Sequence, residues 1–110
     1  MTEDPSLDKR RQFPRQDVAW EVEIQMEPGF SVRATTVNAS EGGLCIRFPG
    51  PMSGETCTVV LDPERAAPLS IRAQSRWSSQ PDGTGLARVG LQFMGLRPET
   101  RARLRSLLKR

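Results

Sequence analysis

Two short polar segments hold the residues of this chain best suited to chemistry. Arg10, Arg11 and Arg15 lie in the run Lys9-Arg10-Arg11-Gln12-Phe13-Pro14-Arg15, with Arg11 and Arg15 four positions apart. A guanidinium presents a planar fork of N–H donors that grips phosphate oxygens two at a time. Pro14 pushes Phe13 out of the helical region, so this stretch forms no stable helix. Its arginines are expected to be free to close around an anion. The second segment, Asn38-Ala39-Ser40-Glu41-Gly42-Gly43, reads as a turn that closes one strand and opens the next. Asn38 brings an amide that both donates and accepts, and Ser40 brings a hydroxyl. Gly43 has no Cβ, which permits close backbone approach or a positive φ.

Other chemistry is poorly supplied. The chain has no histidine, hence neither the commonest general base nor the commonest nitrogen ligand for a metal. Its two cysteines, Cys45 and Cys57, cannot make a four-ligand zinc site without histidines, and they form no disulfide framework. Both fall in strand patterns and read as small buried thiols, consistent with a reducing, cytoplasmic setting. No nucleophile has an evident base partner. The composition argues for a binding protein and against an enzyme. No cofactor or metal is expected.

The net charge of +3 is unevenly spread. Residues 9–15 carry four basic groups and no acid, and residues 97–110 carry six basic groups and one acid. The stretch between them, 16–96, has six basic and nine acidic groups. A mildly acidic body therefore has positive ends, which suits anion capture by the arm and gives the terminal helix a solvated basic face.

These residues need elements to position them. At 110 residues the chain is one domain with one core. Residues 1–8 read as a disordered leader, with no secretory signal, and residues 9–15 as the basic arm. Val18, Trp20, Val22, Ile24 and Met26 alternate with polar or small residues, a strand with one buried face that makes Trp20 core. Glu27-Pro28-Gly29 turns the chain, and Phe30 to Val37 returns with Phe30, Val32 and Ala34 on one face. Leu44, Ile46 and Phe48 mark a third strand, Thr56–Leu61 a fourth, Leu69–Ser78 a fifth and Leu86–Met94 a sixth. Strict alternation puts Trp77 on the face of Ala73 and Ser75, in the core or at the rim. The alternative is a wall beside a ligand. Pro98 opens a helix over 97–109, with an apolar stripe at Leu104, Leu107 and Leu108. Six short strands and one amphipathic helix read as a barrel or a sandwich, with the helix over an open end. No run of apolar residues is long enough to span a membrane as a helix.

The order of the two polar segments around these strands resembles the PilZ domain, a small bacterial receptor for cyclic di-GMP. That family carries R-x-x-x-R and [D/N]-x-S-x-x-G. Arg11 with Arg15, and Asn38 with Ser40 and Gly43, match both patterns. Arg88-Val89-Gly90-Leu91-Gln92-Phe93 followed by a helix looks like the family's last barrel strand and closing helix. The resemblance covers roughly Lys9 to Leu108. It implies an all-β fold with one helix: a six-stranded antiparallel β-barrel over 16–94 closed by the C-terminal α-helix, within a domain over 9–110.

The resemblance also implies the ligand. Cyclic di-GMP has two phosphates and two guanines, and an arginine fork fits a phosphate or the O6/N7 edge of guanine. Arg11 and Arg15 would close over it from the arm, and Arg10 would add a third guanidinium, favouring a stacked ligand dimer. Asn38 would meet a base edge, with less charge than the Asp many relatives carry there. Ser40 would serve base or phosphate, and Gly43 would permit close approach. The arm over 8–16 is expected to be mobile alone and ordered by ligand, relaying the signal to a protein partner not named by the sequence. The chain is expected to be a monomer or weak dimer. The alternatives are a PilZ-like adaptor without ligand and a small basic nucleic-acid-binding barrel. Against the second, there is no Tyr, and Phe30, Phe48 and Phe93 fall on apolar faces.

Overall fold

The computed structural model describes residues 15–26, 29–50, 52, 54–63 and 68–108. The leader, Arg10, Arg11 and the rest of the arm before Arg15 lie outside the described residues. Six antiparallel strands follow: β1 Glu21–Met26, β2 Phe30–Ala39, β3 Gly43–Phe48, β4 Thr56–Leu61, β5 Leu69–Ser78 and β6 Ala87–Phe93. A helix, α1, spans Pro98–Leu108. The strands close into a barrel in the order β1-β2-β3-β6-β5-β4, so the sandwich alternative falls away.

Alternation decides what fills the barrel. Val22 and Ile24 of β1, Leu44, Ile46 and Phe48 of β3, and Val59 and Leu61 of β4 point inward with Ile71, Val89 and Leu91. Leu104 and Leu108 of α1 join the same cluster. A barrel wall has no gap for a helix, so α1 covers an open end with its apolar stripe. Trp20 and Val18 pack against the cluster while staying half-buried. Phe30 does not: it stands at the start of β2 and is 53% exposed. The inward phase read from sequence is correct for Ala34, but Phe30 lies at the end of its strand, where little wall remains to cover it. Among the described residues no helix is long and apolar enough to cross a membrane.

Two strands break phase. Between Thr36 and Asn38 the register of β2 against β3 slips, leaving Val37 as an extra residue. Between Ser75 and Trp77 the register of β5 against β6 slips, leaving Arg76 extra. A β-bulge of this kind re-aims every side chain beyond it. Thr36 pairs with inward Ile46, but Asn38 pairs with Cys45 on the outer face. Ser75 pairs with inward Leu91, but Trp77 pairs with Gly90, again outside. Trp77 is 45% exposed, so it is neither core nor part of the inner layer.

Ser75 is the cost of the second bulge. It is buried at 3% exposure, and its hydroxyl finds no hydrogen-bond partner among the described residues. Desolvating an unpartnered hydroxyl is unfavourable, so Ser75→Ala is expected to stabilise the fold by about 1 kcal/mol. Thermal unfolding should show the gain as a higher midpoint, and a lower midpoint would show that the hydroxyl is satisfied in solution.

Candidate functional site

The chain just before β1 is already fastened to the barrel. Gln16 and Ala39 exchange both backbone hydrogen bonds, at 2.8 and 2.9 Å. The Thr36 hydroxyl accepts from the Trp20 N–H at 2.8 Å and donates to the Val18 carbonyl at 2.5 Å. Gln16, where the barrel was read to begin, does not share the mobility expected over 8–16: its amide is held in a two-bond pair with β2. That pair sets the position of Arg15, which lies one residue away beside the end of β2. Its guanidinium donates to Asn38 Oδ1 at 3.4 Å on the exposed outer face.

The turn after β2 is organised from within. Ser40 is buried, its N–H donates to the Gly43 carbonyl at 2.9 Å, and its hydroxyl accepts from the Gly42 N–H at 3.1 Å. Serine here gives a short side chain that bonds the backbone two residues on, a common turn device. The Phe93 N–H donates to the Gly42 carbonyl at 2.9 Å, tying the turn to β6. Glu41 reaches across to α1, where Arg105 donates Nε to Oε2 at 2.9 Å and Nη2 to Oε1 at 3.1 Å. Glu41 is 18% exposed on its side chain, so this fork is partly sheltered. The fork fastens the turn to the helix and draws Arg105 more firmly into its charged form through hydrogen bonding and charge attraction.

Gly43 has a structural reason to be glycine. A Cβ built there would sit 2.0 Å from the Leu91 carbonyl oxygen on β6. Its φ is not positive, so only the close approach allowed for in the sequence reading applies, and the approaching backbone is the chain's own.

The bulges extend this site across the barrel. Asn38 on β2 pairs with Cys45 on β3, Cys45 with Gly90 on β6, and Gly90 with Trp77 on β5. The four make one transverse row on the outer wall. A Cβ on Gly90 would lie 2.1 Å from the Trp77 indole nitrogen, so the glycine lets the ring lie down on the wall. Cys45, in the middle of this row, is itself buried; burial pushes its thiol pKa up, opposed by the positive charges of Arg88 and Arg15. Cys57, on the inner face, is pushed up to about 11, chiefly by burial. Arg15, Asn38, Ser40 and Gly43 are thus brought together, and Trp77 joins them from a strand the motif does not include. A separate cleft of about 270 Å³, lined by Val18, Trp20, Leu61 and Leu107 with a charged rim, contains none of these residues.

The PilZ domain profile matches residues 9–110. The chain belongs to the PilZ domain family. No curated protein matches it significantly. Among solved structures, this PilZ domain is similar to the PilZ domain of YcgR from Escherichia coli, described with c-di-GMP. That pair shares 15% identity over 89% of this chain and 88% of that one, with a TM-score of 0.70. It is also similar to the Bacillus subtilis inhibitor of motility MotI/DgrA, at 23% identity over 92% of this chain and 53% of that one, TM-score 0.68. The Klebsiella MrkH–c-di-GMP complex matches at 13% identity over 90% of this chain and 51% of that one, TM-score 0.70. The PilZ domain here spans about half the length of MotI/DgrA and of MrkH. At these identities the likeness is one of fold.

Proposed function

We propose that this PilZ domain is a cytoplasmic receptor that binds cyclic di-GMP on the outer barrel wall and passes the signal to a protein partner. One observation carries the reading: Arg15 of R-x-x-x-R meets Asn38 of the second motif on an open face that ends in an exposed tryptophan. Arginine supplies bidentate bonds to phosphate or to a guanine edge. Asn38 supplies an amide for a base edge, and the Trp77 indole supplies a flat surface on which a base can stack. The fold likeness to YcgR and MrkH, each described with c-di-GMP, supports the same ligand. The chemistry is binding rather than catalysis, and no cofactor is required.

In this reading Arg11 and Arg10 close over the ligand from the arm while Arg15 is held in place. Ordering a backbone costs roughly 1–2 kcal/mol per residue, so affinity should be about micromolar. Amide hydrogen exchange tests the closure. The Gln16 and Ala39 amides should be protected without ligand, because each is bonded to the other residue's carbonyl. Amides of residues 9–13 should gain protection when cyclic di-GMP is added; Pro14 has none to exchange. No change there at saturation would refute arm closure while leaving simple binding intact.

A further inference from the structure

Arg88 stands on the outer face of β6, two residues before Gly90, on which the Trp77 ring rests. Successive outward residues on a strand are roughly 6.6 Å apart, so Arg88 borders the indole along the wall. Its cross-strand neighbour is another arginine, Arg47. Like charges directly opposite in an antiparallel pair repel, and the Asp82 carboxylate lies 3.6 Å from Arg47. Asp82 is itself committed to its loop, accepting from the Thr84 N–H at 2.8 Å. Among the described residues the Arg88 side chain has no ion pair or hydrogen bond. The wall therefore holds an exposed, unneutralised guanidinium beside the exposed ring. Arg15 approaches from the opposite side: both charges act on the Cys45 thiol in the middle of the row.

We propose that Arg88 is a specificity-determining residue of this site, its fork taking the O6/N7 edge of a guanine that stacks on Trp77. The inference rests on the cyclic di-GMP reading above and adds a base-reading residue outside both motifs. An arginine beside a stacking platform is well placed for this, because the fork can lie in the plane of a base laid on the ring. Adenine offers a donor where guanine offers O6, so the same contact would reject it. The wall arginine would read one base while Arg15, across the row, holds a phosphate.

A ligand–protein cycle tests the assignment. Cyclic di-GMP and its 7-deaza analogue, which lacks the N7 acceptor, are titrated calorimetrically into the parent, Arg88→Ala and Arg15→Ala. Arg88→Ala should bind cyclic di-GMP at least tenfold more weakly than the parent and should no longer distinguish the two ligands. Arg15→Ala should be weaker still but keep the distinction. Parent-like binding by Arg88→Ala would overturn the inference. So would weakened binding with the 7-deaza penalty intact, which would assign Arg88 to a phosphate. Absence of binding by the folded parent would instead overturn the ligand reading itself. Arg88→Gln guards against a misfolded variant: an unchanged melting temperature with the same loss of discrimination supports base reading.

Discussion

Arg15→Ala and Arg11→Ala are each expected to weaken cyclic di-GMP binding by about 2–4 kcal/mol, as for truncation of one partner in a desolvated charge pair. That is roughly 30- to 1,000-fold in dissociation constant. Arg15 is exposed and, among the described residues, its side chain bonds Asn38, so its removal should leave the melting temperature nearly unchanged. The loss should therefore appear in titration and not in unfolding. If both variants bind like the parent, neither arginine contacts the ligand and the motif assignment fails. Asn38→Ala should lose less, because a neutral amide contributes a weaker hydrogen bond than a guanidinium–phosphate pair.

The largest stability effect should come from Gly43. Even a methyl group would meet the Leu91 carbonyl oxygen at 2.0 Å, and the obstacle is the backbone of a central paired strand rather than a movable side chain. Gly43→Ala is expected to cost about 3 kcal/mol or more, at the upper end of overpacking effects. Gly43→Val, a larger intrusion at the same place, should likewise fail first by unseating β3 from β6. Urea unfolding of Gly43→Ala decides the point, and a parent-like midpoint would show that the two strands can separate without penalty. A drop in stability also warns against reading lost ligand binding in this variant as a lost contact.

Much of this architecture was legible because alternation is a strong signal. Thr56–Leu61 and Leu69–Ser78 are strands with the bounds the pattern predicts, and Leu104 and Leu108 bury as their spacing requires. What could not be read was phase beyond a bulge. A single inserted residue, Val37 or Arg76, leaves composition and propensity unchanged and still flips everything after it. That is why Trp77 is better assigned from register than from alternation, and why Asn38 emerges on the outside of a strand whose earlier residues point in. Gly90 carried the one available hint, since a glycine inside a strand often marks close approach of another group. The helix partner of Glu41 lies 64 positions away and left no local trace. Arg15 was assigned by motif, and the pair between Gln16 and Ala39 explains its placement.

The two bulges shape this wall more than the motif spelling does. Both lie on strands that meet β3 and β6, the two strands carrying Cys45 and Gly90. One turns an amide outward and the other turns an indole outward, at the two ends of one transverse row. A barrel built only to fold would have no use for an exposed tryptophan bedded on glycine and flanked by arginine. A base-stacking, phosphate-binding surface has a use for each.

Isothermal titration of the 110-residue chain with cyclic di-GMP decides whether the outer wall is a ligand site. Saturable binding at about micromolar affinity is expected, given the cost of ordering the arm. GTP, GMP and cyclic di-AMP should bind much more weakly. No heat from folded protein at millimolar ligand, or equal binding of cyclic di-AMP, would contradict it.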